Sequence, residues 1–478
     1  RKMSDFKKFV SRNPSSGETL YEGEYDTLSS MQAKIAAARK VQPKWEQVSM
    51  EEKRNIFTKF AELVKENADE AARIISNENG KPVWEARMEV NSLVNKVQVV
   101  FDAYEERAKT KYKEMSGGRV SVTRFRPHGV MAVLGPFNFP MSMPNSHVMP
   151  ALYAGNAVIF KPSEKTPLSA LYYMELWKKA GLPEGVLQIV FGDAEISGDL
   201  IELPGIDGVL FIGSYRAGKN IENKMVNMNR ICALEMGGNS PLVIWDYSDI
   251  RAAINIAIQS GFISSGQRCS AARRLIVNEN IYEEYINELC LAVKNIIVGK
   301  SDQSNPEPFM GPLIDEHATD LFLKEYRNLV ESGAEELVKA EHLLNIGYNF
   351  VSPALLDVTK CSVDDREIFG PMLQVISVST IDEAVYEANN TKYGLAAGIV
   401  TDSKEIYDYF FNNIKSGIVN WNQTLTGSTT VAPFGGIKGS GNYRPAGYLS
   451  VDYCLYAIAS IESSKAVCPV KLSPGLSF

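Results

Sequence analysis

The sequence lacks the short patterns that mark several common kinds of enzyme. Its four histidines form no HExxH pair, and no cluster of cysteine and histidine has the spacing of a zinc site. No GxSxG turn marks a serine hydrolase, and no GxGxxG follows an apolar run as it does in common dinucleotide-binding folds. We therefore expect neither a metal centre nor a serine nucleophile.

The six cysteines are scattered and form no CxxC pair, which is typical of reduced thiols in a cytoplasmic protein. No charged-then-apolar leader opens the chain, and no apolar run is long enough to span a bilayer. The net charge of -7 gives no sign of a nucleic-acid partner. The sequence predicts a cytoplasmic protein that binds neither membrane nor nucleic acid.

The chain is long enough for two or three domains, and its pattern changes near residue 130. Its 478 residues are 45% hydrophobic and 22% charged, both ordinary for a globular protein. Short apolar runs then alternate with helix-like stretches, which predicts parallel sheets covered by helices on both faces. The predicted strands are residues 130–134, 157–160, 186–191, 208–212, 231–234, 242–245, 275–277, 374–377 and 398–400, and the predicted helices are residues 145–154, 168–180, 216–228, 250–262, 281–298 and 381–389. We expect an α/β protein with two βα domains in series.

One predicted hairpin stands apart from these domains. Residues 119–126 alternate between apolar and polar side chains and pair with residues 111–115, while residues 454–461 form a weaker alternating strand. A strand that stands apart from the core needs a partner for its edge. The sequence therefore predicts pairing across a homodimer or a dimer of dimers.

A cysteine follows one of the predicted helices at a glycine-bearing turn. Gly266 and Arg268 lie just before Cys269, between the helix at 250–262 and the strand at 275–277. A nearby cation lowers the pKa of a thiol, and the thiolate is the nucleophile. Glycine lets the backbone come close to a substrate. The alternative is a small buried hydrophobic residue, which is the more common role of a free cysteine.

A second turn resembles a phosphate-binding loop without being one. Gly213 follows the strand at 208–212, and Gly218 and Lys219 follow it within a helix. Asn220 stands where a P-loop needs the Ser or Thr that binds magnesium. The turn is better suited to offer the free amides of a helix N-terminus to an anionic group such as a pyrophosphate.

Five further stretches accompany Cys269 along the chain. They are PFNFP at 136–140, FKPSE at 160–164, LEMGGN at 234–239, EIFGP at 367–371 and PFGG at 433–436. Together and in this order they resemble the aldehyde dehydrogenase superfamily, from residue 13 to the last residues. The resemblance implies an NAD-binding domain (1–110 and 128–235), a catalytic domain (236–435) and oligomerisation or bridging segments (111–127 and 436–478).

The resemblance also implies a catalytic set. Cys269 would attack the aldehyde carbon to give a hemithioacetal, and Asn138 and the backbone N–H of Cys269 would hold the oxyanion. Hydride transfer to nicotinamide leaves a thioester, and Glu235 would activate the water that hydrolyses it. The alternatives are a turn residue beside a proline for Asn138 and a solvated carboxylate for Glu235. The apolar strand before Glu235 predicts instead that this side chain points inward.

The same resemblance implies an NAD site. Glu164 would accept hydrogen bonds from the adenosine ribose and repel a 2′-phosphate, which favours NAD over NADP. The alternatives are a surface pair of Lys161 with Glu164 and simple core packing for Phe369. The implied cofactor residues are Phe137, Lys161, Ser163, Glu164, Gly213, Ser214, Gly218, Glu367 and Phe369.

Three local runs narrow the resemblance to the N-succinylglutamate 5-semialdehyde dehydrogenases of arginine catabolism. They are RPHG at 126–129 with MPNSH at 143–147, GSGNYRPA at 439–446 with DYC at 452–454, and LSPGL at 472–476. Such a substrate carries carboxylates, which cations bind. The candidates are Arg444, Arg126 and Arg268, each of which has a structural ion pair as its alternative role. Another carboxylate-bearing semialdehyde is the alternative substrate.

Two other classes of protein compete with this interpretation. A cysteine hydrolase would use Cys269 and Glu235 without redox chemistry, and it leaves Lys161, Glu164 and Glu367 without a role. A non-catalytic binding protein is expected to lose the nucleophile or the base, and the sequence has both.

Overall fold

The computed structural model describes residues 7–478 and opens on a hairpin and four helices. These elements are β1 (Lys8–Arg12), β2 (Thr19–Glu24), α1 (Leu28–Glu46), α2 (Met50–Glu66), α3 (Ala68–Asn79) and α4 (Val83–Arg107). Side-chain caps start α1 and α2, since Thr27 accepts from the N–H of Ser30 and Ser49 from that of Glu52. The predicted NAD-binding segment begins at residue 1, and its residues 1–6 lie outside the described residues.

The next part of the chain forms a hairpin and the first large sheet. Its elements are β3 (Lys111–Met115), β4 (Arg119–Pro127), β5 (Val130–Leu134), α5 (Ser142–Tyr153), β6 (Ala157–Lys161), α6 (Pro167–Lys179), β7 (Leu187–Ile189), α7 (Ala194–Glu202), β8 (Gly208–Gly213), α8 (Tyr215–Met225) and β9 (Ile231–Met236). Strands β5 to β9 pair in parallel in the order β7-β6-β5-β8-β9. This order and pairing confirm the first predicted βα unit.

A seven-stranded sheet follows. Its elements are β10 (Ser240–Ile244), α9 (Ile250–Phe262), β11 (Ala272–Asn278), α10 (Tyr282–Lys294), α11 (Glu316–Glu331), β12 (Glu335–Val338), β13 (Ala354–Asp357), β14 (Met372–Val378), α12 (Ile381–Asn389), β15 (Ala396–Val400), α13 (Lys404–Asn413) and β16 (Ile418–Trp421). The order is β12-β13-β14-β11-β10-β15-β16, and only the edge strand β12 runs antiparallel to its neighbour. The predicted second parallel sheet is confirmed, with three strands that the apolar runs did not indicate: β12, β13 and β16.

The C-terminal part returns to the first half of the chain. It contains β17 (Pro433–Phe434), β18 (Ala446–Gly447), α14 (Ser450–Tyr453) and β19 (Leu455–Glu462). Strand β19 pairs with β4 and β4 with β3, both antiparallel, to give a separate three-stranded sheet. The predicted hairpin and C-terminal strand are therefore confirmed, whereas the functional labels given to the chain segments stay predictions.

The candidate site is formed by residues at the strand ends of the two large sheets. Asn138 and Ser214 follow β5 and β8, and Glu235 lies near the end of β9. Cys269 and Glu367 instead precede β11 and β14. The carboxyl ends of the first sheet thus supply one half of the candidate site, and the amino ends of the second sheet supply the other.

Helix α4 is the longest helix, and it packs against α2, α3, α5 and α14. The core beside it is rich in aromatic side chains, including Phe60 and Trp177, whose rings stack with centroids 3.9 Å apart.

Within residues 7–478 no helix is both long and apolar enough to cross a membrane.

Candidate active site

Cys269 lies on a tight turn between α9 and β11. The backbone angle φ is 55° at Ser264, 55° at Ser265 and 71° at Gly266. A Cβ atom on Gly266 would lie 2.1 Å from the carbonyl oxygen of Gly370, so only glycine fits there. Two serines in the left-handed region store strain that the surroundings must hold, as often happens at functional sites.

The buried guanidinium group of Arg273 holds this turn. Its Nη1 atom donates to the carbonyl oxygens of Gly266 at 2.6 Å and Gly370 at 3.2 Å, and Nη2 donates to that of Arg268 at 2.9 Å. The sequence interpretation missed Arg273. Its signal is the pair Arg273 and Arg274 at the start of a buried strand, where unpaired charges would be costly.

Asn138, which follows β5 of the first sheet, reaches the nucleophile turn (residues 264–269, named for the candidate nucleophile Cys269). Its Nδ2 atom donates to the carbonyl oxygen of Gln267 at 2.9 Å, which leaves the second amide hydrogen free for another acceptor. The backbone carbonyl of Asn138 accepts from the side-chain amide of Asn79 at 3.2 Å. Asn138 is therefore a buried amide tethered two residues before Cys269, and its catalytic role stays a prediction.

Glu235 points inward, as the apolar strand before it predicted. Its side chain is buried, and neither carboxylate oxygen has a hydrogen-bond partner among the described residues. Burial raises the pKa of Glu235 to about 8. The backbone N–H of Ala446 and the charge of Lys96 oppose this rise, although neither donor bonds to the carboxylate.

The thiol of Cys269 is half-buried, and its pKa is raised to about 12. Burial is the largest cause, and the charges of Glu235 and Glu367 follow. The backbone N–H of Ser270 and the charge of Arg268 act in the opposite direction. Cys269 therefore keeps its proton near neutral pH until a base or a positive charge is placed beside it.

Glu367 lies over two glycines of the LEMGGN stretch. Its Oε1 atom accepts from the N–H of Gly238 at 3.3 Å. A Cβ atom on Gly237 would lie 1.9 Å from Oε2, so the carboxylate occupies space that a side chain would fill. Burial raises the pKa of Glu367 to about 7, and the charge of Arg273 opposes that rise.

A cavity of about 1270 Å³ collects most of the predicted cofactor residues. Pockets for drug-sized ligands measure roughly 300–1,000 Å³, so this cavity suits a larger molecule such as a dinucleotide. Its lining includes Phe137, Lys161, Glu164, Ser214, Glu367 and Phe369. It also includes Arg216, a cation at the start of α8 that the sequence interpretation missed.

The start of α8 offers amides to this cavity. Ser214 caps the helix by accepting from the N–H of Ala217 at 3.3 Å. Gly213 and Gly218 do not line the cavity. Each lies instead in close contact with a neighbouring side chain. A Cβ atom on Gly218 would lie 2.3 Å from Sδ of Met236, and one on Gly213 would meet the ring of Phe211 at 2.5 Å.

The turn after β6 forms part of the cavity wall. Lys161 donates from Nζ to the carbonyl oxygen of Gly192 at 2.9 Å and lies 4.0 Å from Glu164. Burial lowers the pKa of Lys161. Ser163 is buried and does not line the cavity, and its hydroxyl accepts from the N–H of Lys165 at 3.3 Å.

The three arginines predicted for substrate binding lie in different places. Arg268 sits beside Cys269, but its Nη2 atom is paired with the buried carboxylate of Glu85 at 3.0 Å. Arg126 is an exposed residue of β4, in the three-stranded sheet. Arg444 is exposed, and its charge opposes the rise that burial causes in the pKa of Cys232, near the start of β9. Their role toward a substrate stays a prediction.

Glu89 caps the helix that follows Asn138. Its Oε1 atom accepts from the backbone N–H groups of Met141 and Ser142, both at 3.1 Å, and its Oε2 atom is paired with Lys81 at 2.9 Å. Both partners of the ion pair are buried. This carboxylate therefore fixes the start of α5 within a few residues of the candidate oxyanion donor.

Comparison with known proteins identifies the kind of enzyme. The model of the aldehyde dehydrogenase family matches residues 1–457. This chain belongs to the aldehyde dehydrogenase family. The enzyme is an oxidoreductase that acts on aldehydes, which confirms the family expected from Cys269 and the five stretches. Members of this family use NAD or NADP.

Its relatives are similar over nearly their whole length. The enzyme is 41% identical over 98% of its chain to an N-succinylglutamate 5-semialdehyde dehydrogenase of Escherichia coli (strain K12), of which the match covers 95%. It is 42% identical over 95% of its chain to the protein of that name from Novosphingobium aromaticivorans, of which the match covers 96%. The fold is similar, with a TM-score of 0.91 and 25% identity over 96% and 95% of the two chains, to a putative methylmalonate-semialdehyde dehydrogenase from Sinorhizobium meliloti 1021 complexed with NAD.

Within the part of the chain that the structure describes, no three side chains of His, Cys, Asp or Glu cluster as metal ligands would.

We expect Glu89→Leu to destabilise the enzyme by about 3–5 kcal/mol, because it leaves a buried ammonium group on Lys81 without its partner. Denaturant unfolding measures the change. The double variant Lys81→Met/Glu89→Leu is the control, since it removes the unpaired charge and should recover part of the loss. A change below about 1 kcal/mol for Glu89→Leu would contradict the assigned role.

Proposed function

We propose that the enzyme oxidises N-succinyl-L-glutamate 5-semialdehyde to N-succinyl-L-glutamate with NAD. The proposed substrate rests on one observation. The chain is 41% and 42% identical, over at least 95% of its length, to two proteins named N-succinylglutamate 5-semialdehyde dehydrogenase. The chemistry is supported by the convergence of a thiol, an amide and a buried carboxylate from separate elements of the fold.

In the first half-reaction, the thiol of Cys269 loses its proton to solvent water, the resulting thiolate bonds to the aldehyde carbon, and the carbonyl π bond breaks so that its oxygen becomes an oxyanion. The free amide hydrogen of Asn138 and the backbone N–H of Cys269 stabilise that charge. Bound NAD supplies the hydride acceptor for oxidation of this adduct to a thioester. The tether between Asn138 and Gln267 keeps the amide in place, so little reorganisation is needed.

In the second half-reaction, the carboxylate of Glu235 takes a proton from water while the water oxygen attacks the thioester carbon. The C–S bond then breaks, and the product leaves as a carboxylic acid that ionises. Because no other group bonds to the oxygens of Glu235, both are available to a water molecule.

The cavity residues fit a dinucleotide. Arg216 and the amides at the start of α8 suit a pyrophosphate, and Glu164, which also lines the cavity, suits a ribose with free hydroxyl groups. A 2′-phosphate beside Glu164 would add a like charge, which supports NAD over NADP. We assign cofactor binding to residues 1–110 and 128–235, and catalysis to residues 236–435.

We also propose that the three-stranded sheet joins subunits in a homodimer or a dimer of dimers. Both edges of this sheet, β3 and β19, are unpaired in the single chain. All five residues of β3 are exposed, including Tyr112, and Ile461 on β19 is exposed as well. Unpaired edges with exposed apolar side chains are suited to pairing with a second copy.

Glu235→Gln should form one equivalent of NADH in a rapid burst and then nearly stop, because the thioester cannot be hydrolysed without a base. Rapid mixing with absorbance detection separates the two phases. Cys269→Ala is the control and should bind NAD but give no burst. Since burial raises the pKa of Glu235 to about 8, the wild-type deacylation rate should rise with pH up to about 8. Normal steady-state turnover by Glu235→Gln would assign the base elsewhere.

NADH formation should favour the succinylated substrate. We expect kcat/KM for N-succinylglutamate 5-semialdehyde to exceed those for succinate semialdehyde, glutamate 5-semialdehyde and aliphatic aldehydes by about 100-fold or more, because polar groups built for its carboxylates stay unpaired with the others. NADP in place of NAD tests the cofactor. A flat profile, or a preference for another semialdehyde, would contradict the proposed substrate and leave the aldehyde chemistry standing.

Tyr112→Asp should weaken subunit association at least tenfold, because it buries a charge at the sheet edge. Sedimentation over a range of protein concentrations measures the change. Tyr386→Asp is a matched control, since the two tyrosines are 68% and 72% exposed and Tyr386 lies on α12. A monomeric wild-type protein would contradict the proposed assembly.

A further inference from the structure

Helix α4 carries a row of buried charged residues along one face. Glu85, Glu89 and Lys96 are spaced by four and seven residues, which places them on the same side of a helix. Charged side chains are rarely buried unless they are paired. Glu85 bonds to Arg268 and to Ser264 of the nucleophile turn, and Glu89 caps α5. Of the three, only Lys96 has no oppositely charged group bonded to it within the described residues.

The ammonium group of Lys96 is buried and has one hydrogen-bond acceptor in the structure, the carbonyl oxygen of Gly447 at 2.8 Å. An ammonium group has three donors, so one neutral carbonyl leaves most of its charge uncompensated. Burial lowers the pKa of Lys96 to about 8, and the negative charge of Glu235 opposes that fall. The placement of Lys96 thus needs an explanation beyond its single hydrogen bond.

The two-residue strand β18 links Lys96 to Glu235. The carbonyl of Gly447 accepts from Lys96, and the backbone N–H of Ala446 faces Glu235. Gly447 has a φ of 70°, and a Cβ atom there would lie 2.3 Å from the carbonyl oxygen of Ala432, so only glycine fits at this position. Lys96 and Glu235 therefore face neighbouring residues of one short strand.

We propose that Lys96 is a positioning residue for Glu235, whose ammonium charge keeps Glu235 in the ionised form that water activation requires. This inference rests on the role proposed above for Glu235. A carboxylate in a dry pocket tends to hold a proton, and a fixed cation nearby favours the charged form. Because the cation does not bond to the carboxylate, it leaves both oxygens free for water.

The other titratable groups around the pair are neutral at working pH. Tyr453 faces Glu235, and burial holds its pKa well above the usual range. Cys454 faces Lys96, and burial raises the pKa of that thiol as well. His147 is fully buried against the hydroxyl of Tyr453 at 2.6 Å, and burial lowers its pKa to about 3. The nucleophilic thiol also faces Glu235, and its charge would act against ionisation, so Lys96 is the cation that favours the carboxylate.

The test is the pH dependence of deacylation in Lys96→Met. Without the cation the carboxylate needs a higher pH to ionise, so the midpoint of the steady-state profile should move upward by about one pH unit. Turnover at pH 7 should then fall about tenfold and approach the wild-type rate at high pH. The NADH burst should keep its amplitude and rate, because acylation does not use Glu235 as a carboxylate.

Two further variants separate charge from packing. Lys96→Gln keeps a donor for Gly447 without the charge, and it should shift the profile as Lys96→Met does, which keeps the test available if the apolar variant fails to fold. Lys96→Arg keeps the charge and should retain most of the wild-type profile. A midpoint unchanged in Lys96→Gln, or shifted equally in Lys96→Arg, would overturn the proposal.

Lys53→Met is the matched control. Lys53 is also a buried lysine with one carbonyl acceptor, that of Glu46, and its pKa is also lowered to about 8 by burial. It lies on α2, so its loss should lower the unfolding temperature without moving the pH midpoint. A wild-type enzyme that forms no NADH from any aldehyde would instead contradict the proposed function, and the two failures are thereby distinguished.

Discussion

A buried guanidinium group supplies the hydrogen bonds on which the nucleophile turn depends. Arg273 bonds to three backbone carbonyls of segments that meet beside Cys269, and its planar fork of donors suits such an arrangement. These bonds help to hold the turn in which Ser264 and Ser265 lie at positive φ. The same charge lies close enough to Glu367 to oppose the rise of its pKa. One side chain thus sets both the shape and part of the electrostatics of the site.

Helix α4 has a comparable role on the opposite side. A helix rises about 1.5 Å per residue, so Glu85 and Lys96 are roughly 16 Å apart along one rigid body. Glu85, Glu89 and Lys96 contact the nucleophile turn, the start of α5 and β18, respectively. These three segments come from distant parts of the chain. A rigid helix between them keeps loops from both large sheets in register, and loops alone are seldom rigid enough for this.

The sequence was sufficient where a signal is local. The apolar run at 130–134 predicted β5, the periodicity at 250–262 predicted α9, and the alternating residues at 119–126 predicted the hairpin strand β4. Helices α11 and α13 and the short strands at the edges of the second sheet were not predicted, because their patterns are short or mostly polar. Packing against the rest of the sheet decides such elements.

Within the site, the sequence predicted the residues that lie in recognisable motifs. It did not predict the residues that bond to them. Asn138, Glu235 and Cys269 lie in recognisable stretches, and the structure brings them to one place. The residues on α4 are separated by more than a hundred positions from Glu235 and Cys269, and no pattern in one sequence joins them. Arg268 shows the reverse problem, since its charge suggested a substrate anion and the structure pairs it with Glu85.

Cys269 and Glu235 both become negatively charged when they ionise, so the ionisation of each makes that of the other less favourable. This repulsion bears on the order of the two proposed half-reactions. Each anion disfavours the other, since the charge of Glu235 raises the pKa of the thiol. In the proposed thioester the sulfur carries no charge, so Glu235 ionises more easily there than beside a thiolate, and the buried cation of Lys96 acts in the same direction. These charges support a carboxylate base in the second half-reaction.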